Sequence, residues 1–144
     1  MADIIKAKDG IKDRIAVLRK FGFDKKSLQQ AIWAIPNQSS RYLWIANLGD
    51  YDGGDNKLSE DGLKFTDRRN PKDSGADGYG THHSPDVERI LFLKTQRYGK
   101  TIFEFAGVFK PDLQRSILNV SVWERVSAEC SLPDGSWEPS DVSG

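Results

Sequence analysis

Apolar residues follow two rhythms along this chain. In the first third, Ile4, Ile11, Ile15 and Leu18 recur at steps of seven, four and three, one stripe of a 3.6-residue helix. Gly10 interrupts it, so the helix is expected to begin near Asp9, whose carboxyl can cap it. A second helix is expected from Asp24 to about Ile35. Asp24 stands at the cap, Phe23 and Leu28 at the staple positions, and Pro36 at the stop. Leu28, Ala31, Ile32 and Ile35 form its apolar face.

From Arg41 the period shortens. Tyr42-Leu43-Trp44-Ile45-Ala46 is apolar at successive positions, the pattern of a strand covered on both faces. Arg89 to Lys94 and Thr101 to Phe109 predict two more strands, joined by a turn over residues 95–100 that contains Gly99. Gly107 inside the second of these marks a bulge or tight bend. Leu118 to Val126 alternates as a further strand, and Leu63 to Thr66 adds a short fifth. The expected fold is α+β: two N-terminal helices packed on a small, strongly curved mixed sheet or barrel of about five strands, a shape that removes exposed edges.

Residues 48–88 are different in kind. They hold seven of the 13 glycines and both histidines with little periodic structure. A connection of that length in a compact domain is usually functional when ordered, which places the expected site there. Residues 131–144 have Pro, Ser, Gly and Asp in linker proportions, although Trp137 can dock. The expected organisation is one domain over 1–130 and a linker-like tail over 131–144 leading to a further domain.

Length supports that organisation, since 144 residues suit one domain with a real core. The single cysteine, Cys130, allows no internal disulfide and suits a reducing compartment. No run approaches 18 apolar residues and the start has no signal-peptide core, so the expected location is cytoplasmic, with no membrane partner. Lys and Arg number 21 against 21 Asp and Glu, which excludes only indiscriminate coating of nucleic acid. Residues 1–28 are locally basic and residues 48–61 locally acidic.

Few constellations suggest catalysis. Asp50-Tyr51-Asp52-Gly53-Gly54-Asp55 resembles a calcium loop, but Asp55 occupies the position that needs glycine and Asp61 the one that needs glutamate. His82 and His83 are adjacent, so in extended chain their rings point apart. No phosphate-cradling loop, dinucleotide fingerprint or activated-serine motif occurs, and no cofactor or metal is expected. What remains is aromatic and polar residues beside a Gly-rich loop, a set suited to stacking an extruded base and reading its edge. The base-binding candidates are Tyr42, Trp44, Asn47, Asp50, Tyr51, Asp52, Tyr79, His82 and His83. Arg68, Arg69, Lys72 and Arg97 are the phosphate-binding candidates.

The run from Glu88 to Lys94, then Thr101 to Phe109 ending Gly-Val-Phe, then Val122-Trp-Glu-Arg-Val126, resembles the strand rhythm of PUA-like β-barrels. That superfamily includes the SRA, EVE and ASCH domains. The resemblance implies nucleic-acid binding, often of a modified base flipped into a pocket, in domains commonly fused to restriction nucleases. The leading expectation is therefore a non-catalytic DNA reader that targets a C-terminal effector. One alternative is a metal-dependent nuclease drawing on Asp50, Asp52 and Asp86. Others are a protein-interaction module on the basic helical face and a helix-turn-helix using Lys25, Lys26, Gln29 and Gln30.

Overall fold

The computed structural model describes residues 4–23, 32–35, 40–47, 49–51, 54–68, 86–116 and 120–131. Among them are eleven strands and one helix. In chain order these are β1 (Ile4–Lys6), β2 (Gly10–Ile11), α1 (Arg14–Lys20), β3 (Ile32–Ala34), β4 (Arg41–Asn47) and β5 (Gly49–Tyr51). There follow β6 (Gly54–Leu58), β7 (Lys64–Arg68), β8 (Glu88–Arg97), β9 (Lys100–Pro111), β10 (Val120–Ser127) and β11 (Glu129–Ser131). The expectation of two N-terminal helices on a sheet of about five strands is overturned.

The helical stripe dissolves because its members serve different elements. Ile4 is exposed on β1 while Ile5 is buried, and Ile11 is buried on β2, which pairs with Phe103 of β9. Helix α1 starts only at Arg14, where the Asp13 carboxyl accepts from the Ala16 amide at 2.7 Å. Arg19 and Lys20 suit its carboxyl end. The second helix fails where it can be followed. Residues 24–31 lie outside the described residues, but Ile32, Trp33 and Ala34 pair antiparallel with Trp44, Leu43 and Tyr42. Cross-strand partners override the helical spacing there.

A nine-stranded mixed sheet runs β3-β4-β8-β9-β10-β7-β6-β5, with β2 added on β9. Its β4–β8 pair is parallel, Arg41 to Glu88 through Asn47 to Lys94. The other pairs are antiparallel. Strand β4 is thus flanked on both sides and buried from Leu43 to Ala46, as its unbroken apolar run implies. Strands β1 and β11 form a separate two-stranded sheet, Ile4 opposite Ser131.

Alternating side chains divide the interior in two. Leu43, Ile45, Ile90, Phe92, Phe103 and Phe105 pack with Val17, Leu18 and Phe21 of the helical segment. On the opposite face, Trp44, Leu91, Leu93, Ala106 and Phe109 pack with Phe65 and Trp123. The second cluster reveals the curvature. In a flat sheet β4 and β10 stand three strand spacings apart, about 14 Å. Yet the Trp44 and Trp123 ring centroids are 5.3 Å apart, and Trp44 reaches Phe65 of β7 at 5.0 Å. At five spacings, roughly 24 Å when flat, Asn56 of β6 donates its side-chain amide to the Asn47 carbonyl at the end of β4, at 2.8 Å. The sheet therefore curls until its two sides meet.

Gly107 supplies part of that curl. Between Leu91 and Phe92 the β8–β9 register slips by one residue, and Gly107 adopts φ +134°. A second slip between Arg125 and Ser127 faces it across β10. A side chain at Gly107 would place its Cβ 2.4 Å from Arg125 Cδ and 2.9 Å from the Ser127 carbonyl oxygen, so the two strands approach closely only because it has none.

Candidate nucleic-acid interface

The strongly curled side of the sheet encloses an aromatic interior with a polar end. Phe65 and Asp67 alternate inward from β7, and Ser121 and Trp123 from β10. Register sets Trp123 beside Phe65 beside Leu58, and next to that apolar row sets Ser121 beside Asp67 beside Asn56. Directly paired residues hold their Cβ atoms within about 5.5 Å of each other. These three polar residues are 0%, 3% and 5% exposed respectively.

Buried polar groups are normally satisfied. Ser121 Oγ accepts from the Trp123 indole at 2.9 Å. Asn56 spends its amide on the Asn47 carbonyl, and its Oδ1 has no hydrogen-bond partner among the described residues. A buried acceptor left without a donor is costly in the closed protein and is satisfied when a donor arrives. Arg89 completes the wall. It is 8% exposed, with its guanidinium 4.6 Å from the Trp44 ring centroid and 4.3 Å from that of Trp123. The stack holds a cation against the two indole rings.

The anticipated site residues fall in several places. Trp44, 3% exposed, lies in the aromatic interior between Phe65, Trp123 and Arg89. Tyr42 is half-buried, opposite Ala34 and Arg89. Asn47 stands exposed at the end of β4 and reaches the polar row through its carbonyl. Asp50 and Tyr51 belong to β5, opposite Asp55 and Gly54. Arg68 is exposed at the end of β7. Arg97 donates to Glu104 at 2.7 Å and to the Lys8 carbonyl at 3.1 Å. Asp52, Arg69, Lys72, Tyr79, His82 and His83 lie outside the described residues.

The structure thus brings Trp44 and Asn47 to one end of the interior and sets Arg97 three residues beyond Lys94, the register partner of Asn47. Sequence reasoning missed Asn56, Asp67 and Ser121, and grouped Arg89 with the basic residues of the hairpin as a phosphate contact rather than with the aromatic interior. The signal was available in part: Phe65-Thr-Asp67 and Ser121-Val-Trp123 each place a polar residue on the same face as an aromatic one.

A strand-rich curled sheet with a polar-ended aromatic interior agrees with one comparison above all. The family model of the SET and RING associated (SRA) domain matches residues 2–132. The chain belongs to the SRA family. SRA domains bind DNA, modified bases included, and this chain is a DNA-binding reader of that kind. Among solved structures, the 5-hydroxymethylcytosine-specific restriction enzyme AbaSI has a similar fold, with a TM-score of 0.73 at 19% identity. The match covers 90% of this chain and 42% of that enzyme's, so this chain spans less than half of AbaSI's length. No curated protein matches the chain. The SRA assignment also favours the reader over the metal-dependent nuclease. Among the described residues, no three His, Cys, Asp or Glu side chains gather as metal ligands.

Proposed function

We propose that this SRA domain reads a modified cytosine extruded from duplex DNA, and that it serves to direct an effector nuclease, carried on its C-terminal side, to modified sites. The buried polar row carries the reading. A cytosine presents an exocyclic amine donor, and a hydroxymethyl substituent at C5 presents another. Asp67 and the free Oδ1 of Asn56 are acceptors held beside an aromatic interior. The name of AbaSI supports the hydroxymethyl form in particular. Extrusion costs a few kcal/mol of unstacking, which a preorganised, desolvated site can offset.

Fluorescence anisotropy without added metal tests this, using otherwise identical duplexes with cytosine, 5-methylcytosine or 5-hydroxymethylcytosine at one position. The hydroxymethylated duplex is expected to bind about tenfold or more tighter than the unmodified one. 2-Aminopurine opposite the target should brighten on binding as its partner leaves the stack. Asn56→Leu keeps the branched shape but removes the acceptor together with the hydrogen bond to the Asn47 carbonyl, and should shrink the preference while leaving most of the non-specific affinity. Equal affinity for all three duplexes defeats the proposal.

A further inference from the structure

The hairpin joining β8 to β9 turns in two residues. Arg97 pairs with Lys100, leaving Tyr98 at φ 54° and Gly99 at φ 77°. Two left-handed residues are the signature of a type I′ turn. Glycine suits its second position. The first normally holds Asn, Asp or Gly, because most side chains with a Cβ are strained in the left-handed region. Tyr98 recovers none of that by packing, since it is 95% exposed.

The surroundings are basic. Lys94 and Lys100 are exposed on the hairpin itself. Lys8, exposed and also left-handed at φ 81°, is tied to the hairpin by the Arg97 guanidinium on its carbonyl. The nearby Glu104 is paired with that same Arg97 at 2.7 Å. The tip is also near the reading end. Lys94 is the register partner of Asn47. Tyr98 lies four residues further, about 13 Å along the strand, or roughly four base-pair steps of a duplex.

We propose that this hairpin tip is a second contact with duplex DNA, flanking the extruded nucleotide: the Tyr98 ring packs against the groove while Lys8, Lys94 and Lys100 meet phosphates. An exposed aromatic ring held in a strained turn among lysines matches the stacking-plus-phosphate chemistry of nucleic acid. The proposal rests on the DNA-reading function above and adds a contact that does not involve the base.

Tyr98→Asn tests it, because asparagine accepts the left-handed conformation. The variant should melt at or above the parent's temperature, yet bind modified and unmodified duplexes about five- to tenfold more weakly with their ratio unchanged. Lys100→Ala should flatten the slope of log affinity against log salt by about one. Parent-like affinity of Tyr98→Asn for both duplexes overturns the hairpin contact alone, provided the parent still prefers modified DNA. A loss confined to the modified duplex also overturns it, by assigning Tyr98 to base reading. If the parent binds no DNA, the base-reading function and the hairpin contact fall together.

Discussion

Replacing Gly107 with alanine attacks the curl at its tightest point. At φ +134° an L-residue is strained, which costs on the order of 2 kcal/mol. The added Cβ would lie 2.4 Å from Arg125 Cδ, 2.9 Å from Arg125 Cγ and 2.9 Å from the Ser127 carbonyl oxygen. The arginine can shift, but the backbone oxygen belongs to β10 and moves only with the strand, so overpacking adds about 2 kcal/mol more. A total near 4 kcal/mol is a large share of the roughly 5–15 kcal/mol that holds a domain folded. It corresponds to a melting temperature lower by roughly 10–15 °C.

Urea unfolding followed by tryptophan fluorescence is the assay. The midpoint should fall with no change in slope, since the buried surface is the same. Adding Arg125→Ala separates the contributions. The double variant should recover only the arginine part of the overlap relative to Arg125→Ala alone, because φ and the Ser127 oxygen are untouched. A Gly107→Ala loss below about 1 kcal/mol would refute the strained, close-packed bulge.

Three smaller tests probe other elements. Asp13→Ala removes the α1 cap and should cost about 1 kcal/mol in urea unfolding. Arg89→Met withdraws the cation from between Trp44 and Trp123, with an expected loss of about 2 kcal/mol and a changed native tryptophan spectrum. Burial pushes the Cys130 thiol above its ordinary pKa, so alkylation at neutral pH should be slow in the folded protein and fast in urea. Because the folded thiol keeps its proton to higher pH than the unfolded chain's, alkaline conditions above the ordinary thiol range should favour unfolding. Rapid alkylation of the native protein at pH 7 would contradict that burial.

Local pairings were the legible part of this fold. The β8–β9 hairpin joins neighbouring segments whose alternation is visible residue by residue, and Gly107 stands out within it because a strand seldom tolerates glycine. The actual strands run further than the pattern suggests, to a turn of only Tyr98 and Gly99, because a two-residue loop keeps every later pair in register. Pairings distant in sequence were not legible. Ile4 opposes Ser131, and Arg41 opposes Glu88 in parallel, for reasons that neither segment carries alone. Segment 32–34 looked helical because Ile32 and Ile35 keep helical spacing, and only its pairing with Tyr42, Leu43 and Trp44 decides for strand. The polar row was hidden for the same reason. Asn56, Asp67 and Ser121 look like surface residues until three strands align them on the concave side of a closing sheet. Trp44 was singled out for its aromatic character, and the structure places it in the interior wall beside Phe65 and Trp123.

The pairing of β1 with β11 has a mechanical consequence. Ile4 and Ser131 are register partners at the outer end of a ladder only three residues long, and from there both strands run inward together. A force drawing those two residues apart does not shear the ladder but peels it, loading one residue pair at a time, which is the weakest direction for hydrogen-bonded strands. Tension across the domain would therefore open this zipper first and uncover Cys130, the partner of Ile5, while the curled sheet that lines the reading end stayed intact. The same closeness makes residues 4 and 131 suitable points for a short covalent joint, with new chain ends cut at the tip of the β8–β9 hairpin.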